Sequence, residues 1–348
     1  MNQKNISFLI IGFLVFAINT FAQNGAYQTF KFLSVNPSAK IAAIGGTQVS
    51  QLDNDASIIL QNPALLNHTM HNQLSTSYVN YLSDASFGLI NYAQQKKFGT
   101  VAASVLYFNG GNFTQTDETA TITGKFKVNE AAFILSYANK IDSVLSIGIS
   151  TKYIFSALET YRSQGLAFDF GGTYTHPNQS FSAGFVVKNL GFQTKKYTSE
   201  SANLPLDIQA GIAYKLEHVP FRVSLTAIQL NRPKLVYVDT INGQTIDPIT
   251  NSPVVPKKQI GANIANHFVI GGELVLSKAF QIRLGYNFKR RYELKVDDAP
   301  GITGFSFGFG IKLSKWQLNY GFSRYHAYGN SNHITLNFNI DNFAKKKV

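Results

Sequence analysis

The sequence predicts an all-β protein, a transmembrane antiparallel β-barrel of about fourteen strands with an N-terminal plug. Three observations predict it. Only 14% of the 348 residues are charged while 45% are apolar, against roughly 25% charged in ordinary soluble domains. Segments of about 10 to 13 residues alternate apolar with small or polar side chains, and that is the length a tilted strand needs to cross a bilayer. The connections between these segments alternate between tight and long, the habit of bacterial outer-membrane barrels. A mean hydropathy of −0.04 excludes a bundle of apolar membrane helices. The absence of cysteine excludes disulfides, zinc–thiolate sites, cysteine nucleophiles and a lipid-modified N-terminal cysteine.

Residues 1–22 read as a secretory signal. Lys4 precedes an apolar run from Ile6 to Ile18, and Ala22 supplies the small residue for cleavage. The run is too short for a membrane anchor, so the mature chain is expected in the bacterial outer membrane. Residues 23–72 do not alternate and are expected to form the plug or hatch in the lumen. They carry Gly45-Gly46, the acidic Asp53-Asn54-Asp55 and Asn62-Pro63-Ala64, with one helical turn expected at 57–60 because Pro63 disfavours helix at Asn62.

The barrel is expected over 73–340, with strands near 73–81, 85–95, 98–109, 126–138, 143–155, 165–176, 180–191, 206–216, 219–230, 267–276, 279–289, 302–313, 316–325 and 332–340. Over 279–289, for example, Phe280, Ile282, Leu284, Tyr286 and Phe288 oppose Gln281, Arg283, Gly285, Asn287 and Lys289. The apolar side is assigned to lipid and the small or charged side to the lumen. A soluble sandwich also alternates, but its strands are shorter and its connections do not alternate in length. Tyrosines near the strand ends, with Trp316, suit interfacial girdles. A basic tail follows at 341–348.

The lumen side carries Glu130, Lys152, Asp169, Lys188, Asp207, Arg222, Glu273 and Arg283, expected to pair across strands and with the plug. A lumen so charged and rich in Gly and Ser argues against conduction of an apolar solute. Catalysis is not expected, since none of the seven histidines has a Gly-x-Ser-x-Gly neighbourhood. His68 and His71 lack a third metal ligand nearby. Asp53-Asn54-Asp55 lacks the Gly and distal Glu of a calcium loop, and Gly45-Gly46 lacks a following Gly-Lys-Ser/Thr. No cofactor or metal is expected. The formal charge of +12 is spread over turns, loop bases and tail, which suits outer-membrane lipid and lipopolysaccharide rather than nucleic acid. Two long connections are expected to dock partners: 231–266, stiffened by Pro233, Pro248, Pro253 and Pro256, and 110–125, running from Gly110 to Lys125.

Residues 32–46 (FLSVNPSAKIAAIGG), together with Asp53-Asn54-Asp55 and Asn62-Pro63-Ala64, resemble the N-terminal signature of the PorV/PorQ family of outer-membrane proteins. That family is similar to the fourteen-stranded long-chain fatty-acid transporter barrels with an N-terminal hatch. Residues 165–172, Lys188-Asn189-Leu190-Gly191, Leu204-Pro205-Leu206-Asp207 and residues 220–226 are similar to its PorQ branch. The resemblance implies a non-enzymatic subunit of the type IX secretion system. Its implied partners are those of the cargo attachment complex: a PorZ-like tethered subunit, a PorU-like sortase and a PorV-like barrel. The alternative it implies is a passive transporter of hydrophobic solutes.

Overall fold

The computed structural model describes residues 28–235, 260–277, 279–295, 301–326 and 329–343. The signal segment with its cleavage site, Pro248, Pro253, Pro256 and the basic tail from 344 lie outside the described residues. The fold is a closed barrel of fourteen antiparallel strands in sequence order, with β14 returning to pair with β1. The strands are β1 (Gln73–Asn80), β2 (Ser86–Lys96), β3 (Gly99–Thr116), β4 (Ile122–Lys140), β5 (Leu145–Leu158), β6 (Tyr161–Thr175), β7 (Phe181–Lys195), β8 (Asp207–Lys215), β9 (Phe221–Ala227), β10 (Phe268–Val275), β11 (Phe280–Asn287), β12 (Phe305–Lys312), β13 (Trp316–His326) and β14 (Gly329–Asn339). Closure satisfies every edge, the condition for strands to cross lipid. None of the described helices is long and apolar enough to do so.

Alternation decides which side chain meets lipid. On β4, Ala132 and Ile134 are buried while their neighbours Phe133 and Leu135 are 55% and 68% exposed. The tight connections gather at one rim, the turn end. There Asp142 accepts from the backbone N–H of Val144 and Leu145 at 2.7 and 2.8 Å, and Asn178 accepts from Ser180 N–H at 3.0 Å. Such side-chain acceptors hold a two-to-four-residue reversal. The opposite rim is the loop end.

The wall is uneven. β3 to β7 run 14 to 19 residues, whereas β8 to β12 run 7 to 9. This corrects two expectations. Strands are not uniformly 10 to 13 residues long, and residues 110–125 are mostly not a loop. Gly110 lies in β3 and Lys125 in β4, paired as far as Thr116 with Ile122. The physical reason is local: Phe113 and Phe126 stack across the ladder at 5.2 Å, and Asp117 closes a five-residue reversal by accepting from Thr119 and Thr121. Burial plays little part there, so polar residues extend the strands without an apolar alternation to reveal them. At the loop end the short side carries two small helices, α2 (Ile260–Ala265) and α3 (Phe288–Leu294), besides α1 (Ala39–Ala43) in the N-terminal segment.

Candidate functional site

Fourteen strands enclose more room than their own side chains fill. Residues 28–72 occupy it. The segment is built from short pieces: 3₁₀ turns at Lys31–Ser34, Ala56–Ile58, Pro63–Leu65 and His68–Met70, plus α1. Each late turn has an Asx cap. Asp55 accepts from Ser57 N–H at 2.9 Å, Asn62 from Ala64 N–H at 3.0 Å, and Asn67 from Thr69 N–H at 3.0 Å. Pro63 then follows a cap rather than breaking a helix.

Glycine on the inner face sets how closely this segment approaches the wall. A Cβ at Gly148 would collide with the backbone of Pro63 and Ala64, one at Gly184 with Val49 and Ser50, one at Gly285 with Ile44 and Gly45, and one at Gly321 with Ala39. Gly45 and Gly46 themselves sit at φ 103° and 96°, a backbone region that L side chains avoid. Their turn is held from the wall: Asn287 Nδ2 donates to the Gly45 carbonyl at 3.1 Å and Arg290 Nη2 at 3.4 Å.

Two ionic clusters lie inside. In one, Glu273 accepts from Arg283 Nε at 2.8 Å, Arg222 Nη1 at 2.9 Å and Gln51 Nε2 at 3.1 Å, with Lys40 Nζ at 3.6 Å. Lys40 also pairs with Asp53. Burial opposes ionisation of Asp53, but the Lys40 ammonium, its hydrogen bond and Arg222 outweigh it, so its carboxyl lies below the usual range. In the other, Lys152 Nζ meets Asp169 Oδ2 at 2.6 Å and Asn189 Oδ1 at 2.7 Å, while Asp169 Oδ1 accepts Asn189 N–H at 2.7 Å. Here β7 bulges: Lys188 and Asn189 stand opposite Asp169 alone, and Asn189 takes φ 59°. Lys188 is buried beside them, and Asp207 caps Gln229 N–H at 2.8 Å. Glu130 faces inward opposite Ser156.

The expectation of a uniformly polar lumen is corrected. Toward the loop end, Phe87, Leu89, Leu106, Ile134 and Ile154 of β2 to β5 point inward, and Phe30, Phe32, Leu33 and Leu204 complete a buried apolar cluster. These strands are apolar on both faces, so alternation alone could not assign the inner one. At the turn end a cavity of about 360 Å³ opens between Asp53, Asn67, His68 and the wall residues Lys140, Thr175, Lys215 and Arg222.

No family model matches the sequence, and no curated protein matches it. Solved structures do. The Ralstonia pickettii toluene transporter TbuX superposes with a TM-score of 0.53 at 11% identity, over 89% of this chain and 98% of that one. The Pseudomonas putida toluene transporter TodX gives 0.52 at 11% identity, over 87% and 96%. The shared feature is the fold. Both neighbours are transporters rather than enzymes, and nearly their whole length is covered.

Several residues with a part in the site escaped sequence reasoning. Lys40 hides in a run of small and apolar residues, yet it is 3% exposed and bridges Asp53 to Glu273. Arg290 reads as a surface base but is buried, stacked 4.2 Å over the Tyr325 ring and bonded to Ser306. His333 is also buried, against Ser331 at 2.9 Å and the Pro37 carbonyl at 3.3 Å. Of the docking prolines only Pro233 is described; its carbonyl accepts from Asn263 Nδ2 at 2.7 Å. His71 accepts Gln95 N–H at 3.1 Å, and no group of three metal-ligating side chains occurs among the described residues.

Proposed function

We propose that this chain is an outer-membrane channel for small hydrophobic solutes, closed at rest by its N-terminal segment acting as a plug. The observation that carries the reading is the apolar cluster inside the loop-end half of the barrel. A polar structural anchor has no use for Phe87, Leu89, Leu106, Ile134 and Ile154 turned away from lipid. They form a wall that a hydrocarbon can wet once Phe30, Phe32 and Leu33 move aside. The fold shared with two toluene transporters supports the same reading. The turn-end cavity then serves as the exit on the far side of the plug.

The test is uptake. Cells or vesicles carrying the protein should accumulate a monoaromatic hydrocarbon or a long-chain fatty acid faster than those without it, and removing residues 28–53, which takes away both the apolar contacts of Phe30, Phe32 and Leu33 and the ionic contacts of Lys40 and Asp53, should raise the rate further. Equal rates in all three cases would overturn the channel reading.

A second reading is favoured by the closeness of the seam, where wall glycines meet the segment's backbone at Gly148, Gly184, Gly285 and Gly321. A lumen so filled suits a non-conducting anchor for surface subunits of type IX secretion, with PorZ-like, PorU-like and PorV-like partners. Deleting the gene separates the two. Lost processing of surface cargo with intact solute uptake favours the anchor; the reverse favours the channel.

A further inference from the structure

We infer that the lipid-facing side of the tall wall carries a binding site for the phosphorylated headgroup of an outer-leaflet glycolipid, formed by Lys125, Lys127 and Arg162. The inference follows from register. On β3 to β6 the last apolar row on the outer face is Tyr107, Ala131 and Phe155, which are cross-strand partners. One outward step higher come Asn109, Asn129, Ala157 and Arg162, again partners in the ladder. The next step holds Asn112 and Lys127, and the one after that Thr114 and Lys125. The lipid-facing surface therefore passes from aromatic to amide to cation within three steps of about 7 Å along the strand. A membrane interface has that sequence of environments: rings at the boundary, with charged groups just above it.

Side-chain direction supports the outer placement. Ser163, the neighbour of Arg162, is fully buried, so Arg162 points away from the lumen. Phe126 stacks with Phe113 on the opposite face of the hairpin from Lys125 and Lys127. Glu159, whose N–H donates to the Lys127 carbonyl at 3.4 Å, has its carboxylate engaged by Gln115 Nε2 at 2.9 Å, and Gln115 pairs with Gly124 on that opposite face. Asp117 is spent on its own turn, accepting from Thr119 and Thr121. None of the three cations makes an ion pair within the described residues.

The short wall is the internal control. Its outer positions at the loop end are Ile208, Ala227, Phe268, Tyr286 and Phe305, all uncharged. Cations on the outer face thus cluster in the tall sector and are absent from β8 to β12 at these positions, while Arg324 on the outer face of β13 is bonded to Asn330. That sector is also where the wall extends beyond the last apolar row, giving a phosphorylated sugar headgroup a surface to lie against. Long outer loops place this end at the glycolipid leaflet.

The experiment uses the full mature chain in detergent. Lys125→Gln, Lys127→Gln and Arg162→Gln are combined, all at exposed positions, and circular dichroism with heat-modifiable gel mobility checks the fold. Binding of bisphosphorylated lipid A is measured by native mass spectrometry beside dephosphorylated lipid A, free pyrophosphate and a second variant, Lys96→Gln with Lys97→Gln, exposed lysines at the opposite, turn end. The inference expects tight binding of lipid A alone, reduced roughly fivefold per cation and on the order of a hundredfold in the triple variant, with the second variant unchanged. Equal retention by the triple variant, equal binding of dephosphorylated lipid A, or equal loss in the second variant would each overturn it. Equal binding of pyrophosphate would replace a lipid site by a phosphate site. Solute uptake is a separate readout, so failure here leaves the channel reading standing.

Discussion

Asp169 is the single side chain on which the β6–β7 wall most depends. It is 1% exposed and performs two tasks: Oδ2 compensates the buried Lys152 ammonium at 2.6 Å, and Oδ1 takes the Asn189 N–H that the bulge removes from the ladder, at 2.7 Å. Asp169→Asn keeps an acceptor for that N–H but strands the ammonium, at a cost of about 3–5 kcal/mol. Asp169→Ala loses both, adding about 1–3 kcal/mol for an unpaired buried donor. Lys152→Met combined with Asp169→Asn removes the stranded charge and should recover most of the loss, leaving the double variant within about 2 kcal/mol of wild type. The assay is urea unfolding of the protein folded into phospholipid vesicles, followed by gel mobility without heating. The reasoning is refuted if Asp169→Ala is no less stable than Asp169→Asn, or if the double variant is no more stable than Asp169→Asn.

Gly285→Val should drive Ile44 and Gly45 off the wall, costing about 1–3 kcal/mol and speeding proteolysis of the N-terminal segment, whereas Gly88→Ala, with open space around it, should be silent in both readouts. Asn62→Ala removes a cap and the donor to Val49 O at 2.8 Å, so a loss of about 1–2 kcal/mol in the same urea experiment is expected. Asp53 contributes stability that is complete above its unfolded value near 3.9 and is lost as pH falls through the lowered native value. The advantage of wild type over Asp53→Asn should therefore shrink below about pH 4 and stay constant from pH 5 to 8; a constant gap at all pH values counts against the Lys40 pairing.

The barrel was legible in the sequence because lipid and turns both write short-range signals. Period-two alternation marked strands such as β5, β6, β11, β12, β13 and β14, and tight connections such as those holding Asp142 and Asn178 marked the reversals. Where strands leave the bilayer the signal fades: Thr114 and Gln115 belong to β3, but nothing apolar alternates around them. The inner face was harder for another reason. Phe87 and Ile90, or Leu106 and Tyr107, are apolar on both sides of one strand, and only closure of the ring says which is inside. The N-terminal segment was recognisable as non-strand from Pro37, Pro63 and the small residues near Gly45, but its partners were not. Lys40 and Glu273 are 233 residues apart in sequence and meet only because α1 packs against β11 to β14, next to β10. Such contacts have no local pattern.

The N-terminal segment is held differently at its two ends. Toward the loop end Phe30, Phe32 and Leu33 are held mainly by apolar contact, a non-directional attraction for which any hydrocarbon can substitute, beside one backbone hydrogen bond from Thr29 N–H to the Asn203 carbonyl at 3.0 Å. Toward the turn end Lys40, paired with Asp53, and Gln51 are tied to Glu273, which Arg222 and Arg283 hold on the wall, and no apolar solute replaces such groups. A solute arriving from the loop end would therefore compete with Phe30–Leu33 first and leave the ionic end in place. On that logic Phe32→Ala should open the apolar compartment while the ionic cluster still closes the turn end, so solute binding should rise without a matching rise in flux. Glu273→Gln, which weakens the ionic end and leaves the apolar one, should loosen the segment from below. Only the combination should raise uptake to the level of a chain lacking residues 28–53. Measured together, binding of a fluorescent hydrophobic probe and accumulation of solute separate the steps; a Phe32→Ala variant that conducts as fast as the deletion would mean that the ionic cluster is no barrier at all.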